Sequence, residues 1–409
     1  MKVVVNFRKK LRDKVLFLNK KLKEEKIMFK KLTNFWIIFL MVSIILIGVF
    51  TLGASAKDVK LVYMTAGDVN MLALGQHVIG PQFSEKYPDV SVMTVHTGPG
   101  NAGSRLIFEK IMADKDKKEG DIDVVMIHQI FLKWAMEEDL LLDYAKSIDT
   151  WQYITSPFAK NTLGVDVEGY CMPMFHSQAV IAFNPKYVTN PPKTYEEIVK
   201  WAAEHPGKFG YNGIKGGMSG VAFTCGWIYW KTGKYEKYAV SGPFDEAEIA
   251  TWEEPIKELK EFNKNVTLTG GNVATLDALN RGEIWMGPVW VDMFLSWMAE
   301  GKLDPATRIL LPEPGMPGQP MYFAIPKNSP HPEEAKNFVA FVTSPAVQAE
   351  EIVKRFNWYP GIDGSYVKDF VPQETFDVIY QDVTPAMLAE FGRAFPLGDY
   401  FDAILEAVE

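Results

Sequence analysis

Three short runs rich in β-branched and apolar residues, Val59–Thr65 (VKLVYMT), Val90–Thr97 (VSVMTVHT) and Asp123–Ile127 (DVVMI), alternate with helical patterns over 70–86, 104–112 and 131–138. Leu106, Ile107 and Ile111 show the helical spacing in the second of these. Runs spaced this widely cannot pair as hairpins. They predict parallel strands joined by crossover helices, and a parallel sheet must be covered on both faces. The segment from about 57 to 170 is therefore expected to be an open α/β lobe.

The pattern then changes. Tyr170–Asn184 (YCMPMFHSQAVIAFN) reads as one long extended stretch interrupted by Pro173. A helix is expected over Tyr195–Glu204, ended by His205-Pro206-Gly207. A second α/β section follows: an acidic helix from Asp245 to Lys264, the Gly270-Gly271-Asn272 turn, a helix over Val273–Arg281 and an extended run over Ile284–Phe294. Pro312 to Pro320 holds four prolines and two glycines and is expected to be a connector. Met321–Pro326 is strand-like, Pro332–Phe341 helical, and the tail from Trp358 reads as helices with loops. Internal repeats and low-complexity tracts are not found.

The first 56 residues differ in kind. They carry 12 of the 43 Lys and Arg but only 3 of the 51 Asp and Glu, so residues 57–409 bear a formal charge of −17. From Phe35 to Gly53 there is no charge, Lys30 and Lys31 precede the run, and Ala54-Ser55-Ala56 follows it, which is the arrangement of an export signal. Cleavage after Ala56 would leave 353 residues. An uncleaved apolar helix acting as an anchor is the alternative, and Met28 is an alternative start. In either case the lysines stay inside and the remainder is exported. No Cys follows the run, so a lipid anchor there is not expected. An exported, acidic chain is poorly suited to nucleic acid or to an anionic lipid surface. Cys171 and Cys225 lie in a compartment that permits a disulfide, but nothing in their spacing requires one.

Signals for catalysis are sparse. Gly98-Pro99-Gly100-Asn101-Ala102-Gly103 fits G-x-G-x-x-G, with Asp121 and Asp123 about 20 residues on. However, it follows the second strand rather than the first, and an exported chain meets no dinucleotide pool. A glycine loop feeding a helix N-terminus can instead hold a carboxylate, phosphate or hydroxyl. Gly217-Met218-Ser219-Gly220 lacks the last glycine of a nucleophile elbow. The six histidines are scattered, and neither H-E-x-x-H nor C-x-x-C occurs, so neither a metal nor a cofactor is expected. Ten of the eleven tryptophans lie after residue 56, with Trp227, Trp230, Trp285, Trp290 and Trp358 placed where a cleft could be lined. Flat aromatic faces take the C–H face of a sugar or a cationic amine.

The order of features resembles the extracellular solute-binding proteins (family 1 type) of bacterial ABC importers, the group that contains maltose-binding protein. The segment Ala278-Leu279-Asn280-Arg281-Gly282-Glu283-Ile284-Trp285-Met286-Gly287-Pro288-Val289-Trp290 carries one part of the resemblance. Met321-Tyr322-Phe323-Ala324-Ile325-Pro326-Lys327-Asn328-Ser329, followed by Pro332-Glu333-Glu334-Ala335 and Phe338-Val339, carries another. Trp285, where the family usually has a small residue, is a departure.

The resemblance implies a two-lobe periplasmic-binding-protein-like α/β fold with a hinge, in which 1–56 are the extension and signal. Residues 57–172 with 322–354 would form one lobe, and 178–318 with 358–409 the other. It implies a cleft lined by Thr65, Gly67, Asp68, Asn101, His128 and Gln129 from one side, and by His176, Ser219, Trp227, Trp290, Tyr322 and Trp358 from the other. The expected function is capture of a polar solute and its delivery to ABC permease subunits by a monomeric, periplasmic or extracellular protein. A sugar or oligosaccharide comes first because of the aromatic supply. A polyamine or other cation on Asp68 comes second, and an anion at the glycine loop third. A secreted hydrolase is the competing class.

Overall fold

The computed structural model describes residues 59–67, 69–98, 100–154, 160–163, 165–240 and 243–409. The expected signal and Asp68 lie outside the described residues. Among the described residues no helix is long and apolar enough to cross a membrane.

The first strand, β1 (Val59–Thr65), is flanked by β2 (Val90–His96) and β3 (Val124–Ile127), both parallel to it. Alternate side chains enter two separate cores, as period-two geometry requires. Leu61, Tyr63, Val124 and Met126 pack with Leu74, Phe83 and Phe338 on one face, and Met64, Val125 and Ile127 pack with Ile107, Ile111 and Phe131 on the other. The covering helices are α1 (Val69–Ala73) and α2 (Gly80–Lys86), joined by the π-helical turn Leu74–Ile79, and then α3 (Gly100–Ala113) and α4 (Gln129–Glu137). The glycine loop before α3 is tight for a steric reason. Gly98 has φ of +110°, and a Cβ on Gly103 would stand 2.0 Å from the Gly98 carbonyl oxygen.

The long extended stretch is a single strand, β4 (Cys171–Phe183), and Pro173 does not end it. Its beginning pairs with Tyr322–Ala324 of β9 (Met316–Ala324), next to β3. Its middle pairs with Gly318–Met321, and its end, Ala179–Phe183, pairs with β7 (Met286–Trp290). A register shift between Met321 and Tyr322 leaves Met174 unpaired beside Pro173, so the residue that cannot donate sits next to a bulge.

Further along lie α5 (Tyr195–Glu204), β5 (Phe209–Tyr211), α6 (Met218–Thr232), α7 (Glu253–Phe262), β6 (Val266–Leu268), α8 (Asn272–Asn280), α9 (Val291–Ala299), β8 (Arg308–Leu310), α10 (Pro332–Val342) and α11 (Gly398–Val408). Thr194 starts α5 by accepting a hydrogen bond from the Glu197 N–H at 3.1 Å. The sheet runs β2-β1-β3-β9-β4-β7-β5-β6, so β4 and β9 are the strands that cross from one half to the other.

Two expectations change. The run Ile284–Phe294 is strand only to Trp290, and Val291 begins α9. The proline-rich connector contains the first half of β9. Over Gly318–Met321 the strand pairs with β4 on one side, whereas β3 joins only at Tyr322, so Pro320 can point its missing N–H away from the ladder. Cys171 and Cys225 are both buried and are not joined to each other by a disulfide, each lying in a different core cluster.

One buried carboxylate ties the first half together. Asp123, fully buried, accepts hydrogen bonds from the Val62 N–H (2.7 Å), Ser329 Oγ (3.0 Å) and the His331 N–H (3.0 Å), with His331 Nδ1 at 3.1 Å. It therefore joins β1 to the turn that precedes α10.

Candidate functional site

Because side chains alternate along β4 and β9, each crossing strand has two different faces. Phe175, Ser177, Gln319 and Met321 face a cleft that is closed by Ala66, Gly67 and Met71 after β1, by Ser104 of α3, and by His128 at the end of β3. From the other half come Met218 at the start of α6, Asn272 at the start of α8, and Trp290, Asp292 and Met293 where β7 turns into α9. The intervening residues His176, Gln178, Gly318 and Pro320 face away and line other cavities.

The polar groups are few and held in place. Ser177 Oγ donates to Asp292 Oδ1, which orients the carboxylate in the first turn of α9. Asn272 Oδ1 accepts from Asn212 Nδ2 at 2.7 Å, from Ser219 Oγ at 2.9 Å and from the Ser219 N–H at 3.4 Å. The same oxygen thus fixes the cleft asparagine and satisfies an N–H at the start of α6. Gln319 Nε2 lies 2.6 Å from His128 Nε2. Among the described residues that line the cleft there is no Lys or Arg, and Asp292 is the acidic one.

Burial pushes the His128 imidazole down to about 4, and His176 likewise, so both are neutral at neutral pH. Below their ordinary value of 6.5 the unfolded chain binds protons that these two rings refuse when folded. Stability is therefore expected to fall as pH drops from about 6.5 to 4 and to gain no further loss from these groups below that. The urea midpoint followed across this range checks it. His128→Gln should flatten the fall, and an unchanged slope would show that burial of His128 is not its source.

The structure brings some of the expected site residues together and separates others. Gly67, His128 and Trp290 line the cleft. Thr65 is buried at the end of β1, and Ser219 is buried beneath Asn272. Asn101 lies in the first turn of α3, and Asp68 is outside the described residues. His176 sits on the opposite face of β4, in a separate cavity with Tyr359 and Tyr380. Gln129 and Tyr322 share another cavity.

Trp227 is in the core, not in the cleft. Its helix α6 is buried on nearly every side, and its indole N–H donates to the Pro255 carbonyl at 2.9 Å. Trp358 is also buried, tilted 31° against Phe175 with ring centroids 4.6 Å apart and its indole N–H on Ser296 Oγ at 3.0 Å. Trp285 stacks on Tyr187 at 5.0 Å, away from the cleft. Sequence reasoning passed over Phe175, Ser177, Asn272, Asp292 and Gln319. Reading 284–294 as one extended run hid Asp292, since only a helix beginning at Val291 turns it toward the cleft beside Trp290.

A family model described as bacterial extracellular solute-binding protein matches residues 82–374. No curated protein matches the sequence. Among solved structures, the spermidine/putrescine ABC transporter substrate-binding protein PotD from Streptococcus pneumoniae is similar with a TM-score of 0.64 and 16% identity, over 85% of this chain and 98% of that one. Iron-bound HitA from Pseudomonas aeruginosa gives 0.57 and 18%, over 86% and 97%. A periplasmic thiamin binding protein gives 0.55 and 16%, over 86% and 96%. At such identities the likeness establishes a shared two-lobe fold.

Proposed function

Since the chain belongs to the bacterial extracellular solute-binding proteins, we propose that it captures a small cationic amine between its lobes and delivers it to the permease subunits of an ABC importer. On this reading residues 57–172 and 322–354 form one lobe and 178–318 with 358–409 the other, and closure about β4 and β9 traps the solute.

The observation that carries the reading is Asp292. It is the acidic group among the described cleft residues, it is oriented by Ser177, and Trp290 stands two positions away on the same wall. A carboxylate beside an aromatic face is the usual recognition pair for an ammonium group. Met71, Met218, Met293 and Met321 supply soft apolar surface for the methylenes between charged ends. The aromatic supply that pointed to a sugar goes elsewhere, because Trp227, Trp285 and Trp358 pack outside the cleft. Polyamines are named among the solutes of proteins with this fold, which is consistent with the reading.

Titration calorimetry with putrescine, spermidine and, as a neutral comparison, maltose tests it. An amine is expected to bind and maltose not to. Asp292→Asn should weaken the amine by about 2 kcal/mol, roughly 30-fold, because the ammonium loses its counter-charge. Binding of maltose alone, or an Asp292→Asn protein with unchanged amine affinity, would reverse the assignment.

A further inference from the structure

Building on the amine reading, we infer that the cleft is made for a zwitterion: an ammonium at Asp292 on one wall and a carboxylate on the facing wall, between Ser104 and His128.

Among the described residues the two walls are electrically unlike. On the Trp290 side, the N-terminus of α9 carries its own carboxylate, Asp292, in the first turn. On the opposite side, α3 and α4 bring their N-terminal ends toward the cleft through Ser104 and His128, and neither has an acidic residue in its first turn. The N-terminal end of a helix carries partial positive charge, and α3 is 14 residues long. No Lys or Arg among the described lining residues competes for an anion there.

Among the described residues of the cleft three buried polar atoms lack partners: Ser104 Oγ, His128 Nδ1 and, beside His128, the acceptor Gln319 Oε1. Ser104 is 1% exposed, and its Oγ has no hydrogen bond, although a helical serine ordinarily bonds back onto the preceding turn. His128 is 7% exposed, and its Nδ1 also has no partner. With the Gln319 amide N–H donating to Nε2, the ring proton sits on Nδ1, so the orphaned ring nitrogen is a donor, and the Ser104 hydroxyl can donate as well as accept. Buried donors without acceptors are costly unless something fills the site, and one carboxylate has oxygens enough for both. A diamine's second ammonium can donate to Ser104 Oγ or Gln319 Oε1, but it offers no acceptor to the His128 ring N–H and would meet the positive ends of α3 and α4.

The test compares ω-amino acids (glycine, β-alanine, 4-aminobutanoate, 5-aminopentanoate) with the diamines of matching length, by calorimetry on the wild-type protein. At the best length the amino acid should bind at least tenfold more tightly than its diamine. Ser104→Ala should weaken the amino acid about tenfold and change the diamine by less than twofold, whereas Asp292→Asn should weaken both.

Equal affinity for the two series on the wild-type protein would overturn the inference whether or not the variant folds. An equal effect of Ser104→Ala on both series would do the same. If Asp292→Asn still weakens both in either case, the amine reading stands and only the carboxylate subsite fails. If Asp292→Asn affects neither, the amine reading itself fails.

Discussion

Asp123→Ala is expected to lower the stability of the protein by about 3–5 kcal/mol, the size seen when one member of a buried, hydrogen-bonded charged network is removed. The side chain is fully buried and accepts from Val62, Ser329 and His331, two of these bonds coming from backbone N–H groups. Truncation leaves those donors buried and unanswered, and each such group costs roughly 1–3 kcal/mol. The loss should appear as a shift of the urea midpoint with little change in slope, since the surface exposed on unfolding is unaltered. Asp123→Asn retains one acceptor oxygen and should cost less than the alanine. A midpoint within experimental scatter of wild type would mean that the turn before α10 is held by packing alone.

Trp358→Ala is expected to cost about 3–5 kcal/mol as well, the usual range for removing a large aromatic from a core. The indole is 1% exposed, lies against Phe175 at 4.6 Å and Phe356 at 4.8 Å, and donates to Ser296 Oγ. A drop of roughly 10 °C in the melting temperature follows from a loss of this size. Solute affinity should change by less than fivefold, because Phe175 and not Trp358 lines the cleft. A large loss of affinity with an unchanged melting temperature would put Trp358 in contact with the solute after all.

Trp358 shows where reading the sequence stops. A tryptophan before Tyr359-Pro360-Gly361 has the composition of a binding site, but composition does not say which way a ring turns. The same holds for His176 and Ser177, adjacent residues whose side chains fall on opposite sides of β4. That division depends on which face of a crossing strand meets the other half, a long-range property that a bulge at Met174 resets by one residue. Asp292 depended on a boundary. Its role follows from α9 beginning at Val291, and the apolar run through Phe294 gave no cap or turn residue to mark that point. The prolines of 312–320 were misleading in the other direction, since a strand paired on one side tolerates residues that a central strand would not.

Local signals served well wherever the physics is local. The alternation of strand and helix over 59–137, the capped helix at Tyr195–Glu204 and the long strand through Pro173 all follow from periodicity, capping and chain stiffness within a few residues. By itself the sequence determined an α/β chain, a crossing strand, and the family resemblance that the match over 82–374 supports. Only the tertiary structure decided which side chains share the cleft. Burial and facing are fixed by partners more than a hundred residues apart, as when Ser177 meets Asp292 and His128 meets Gln319.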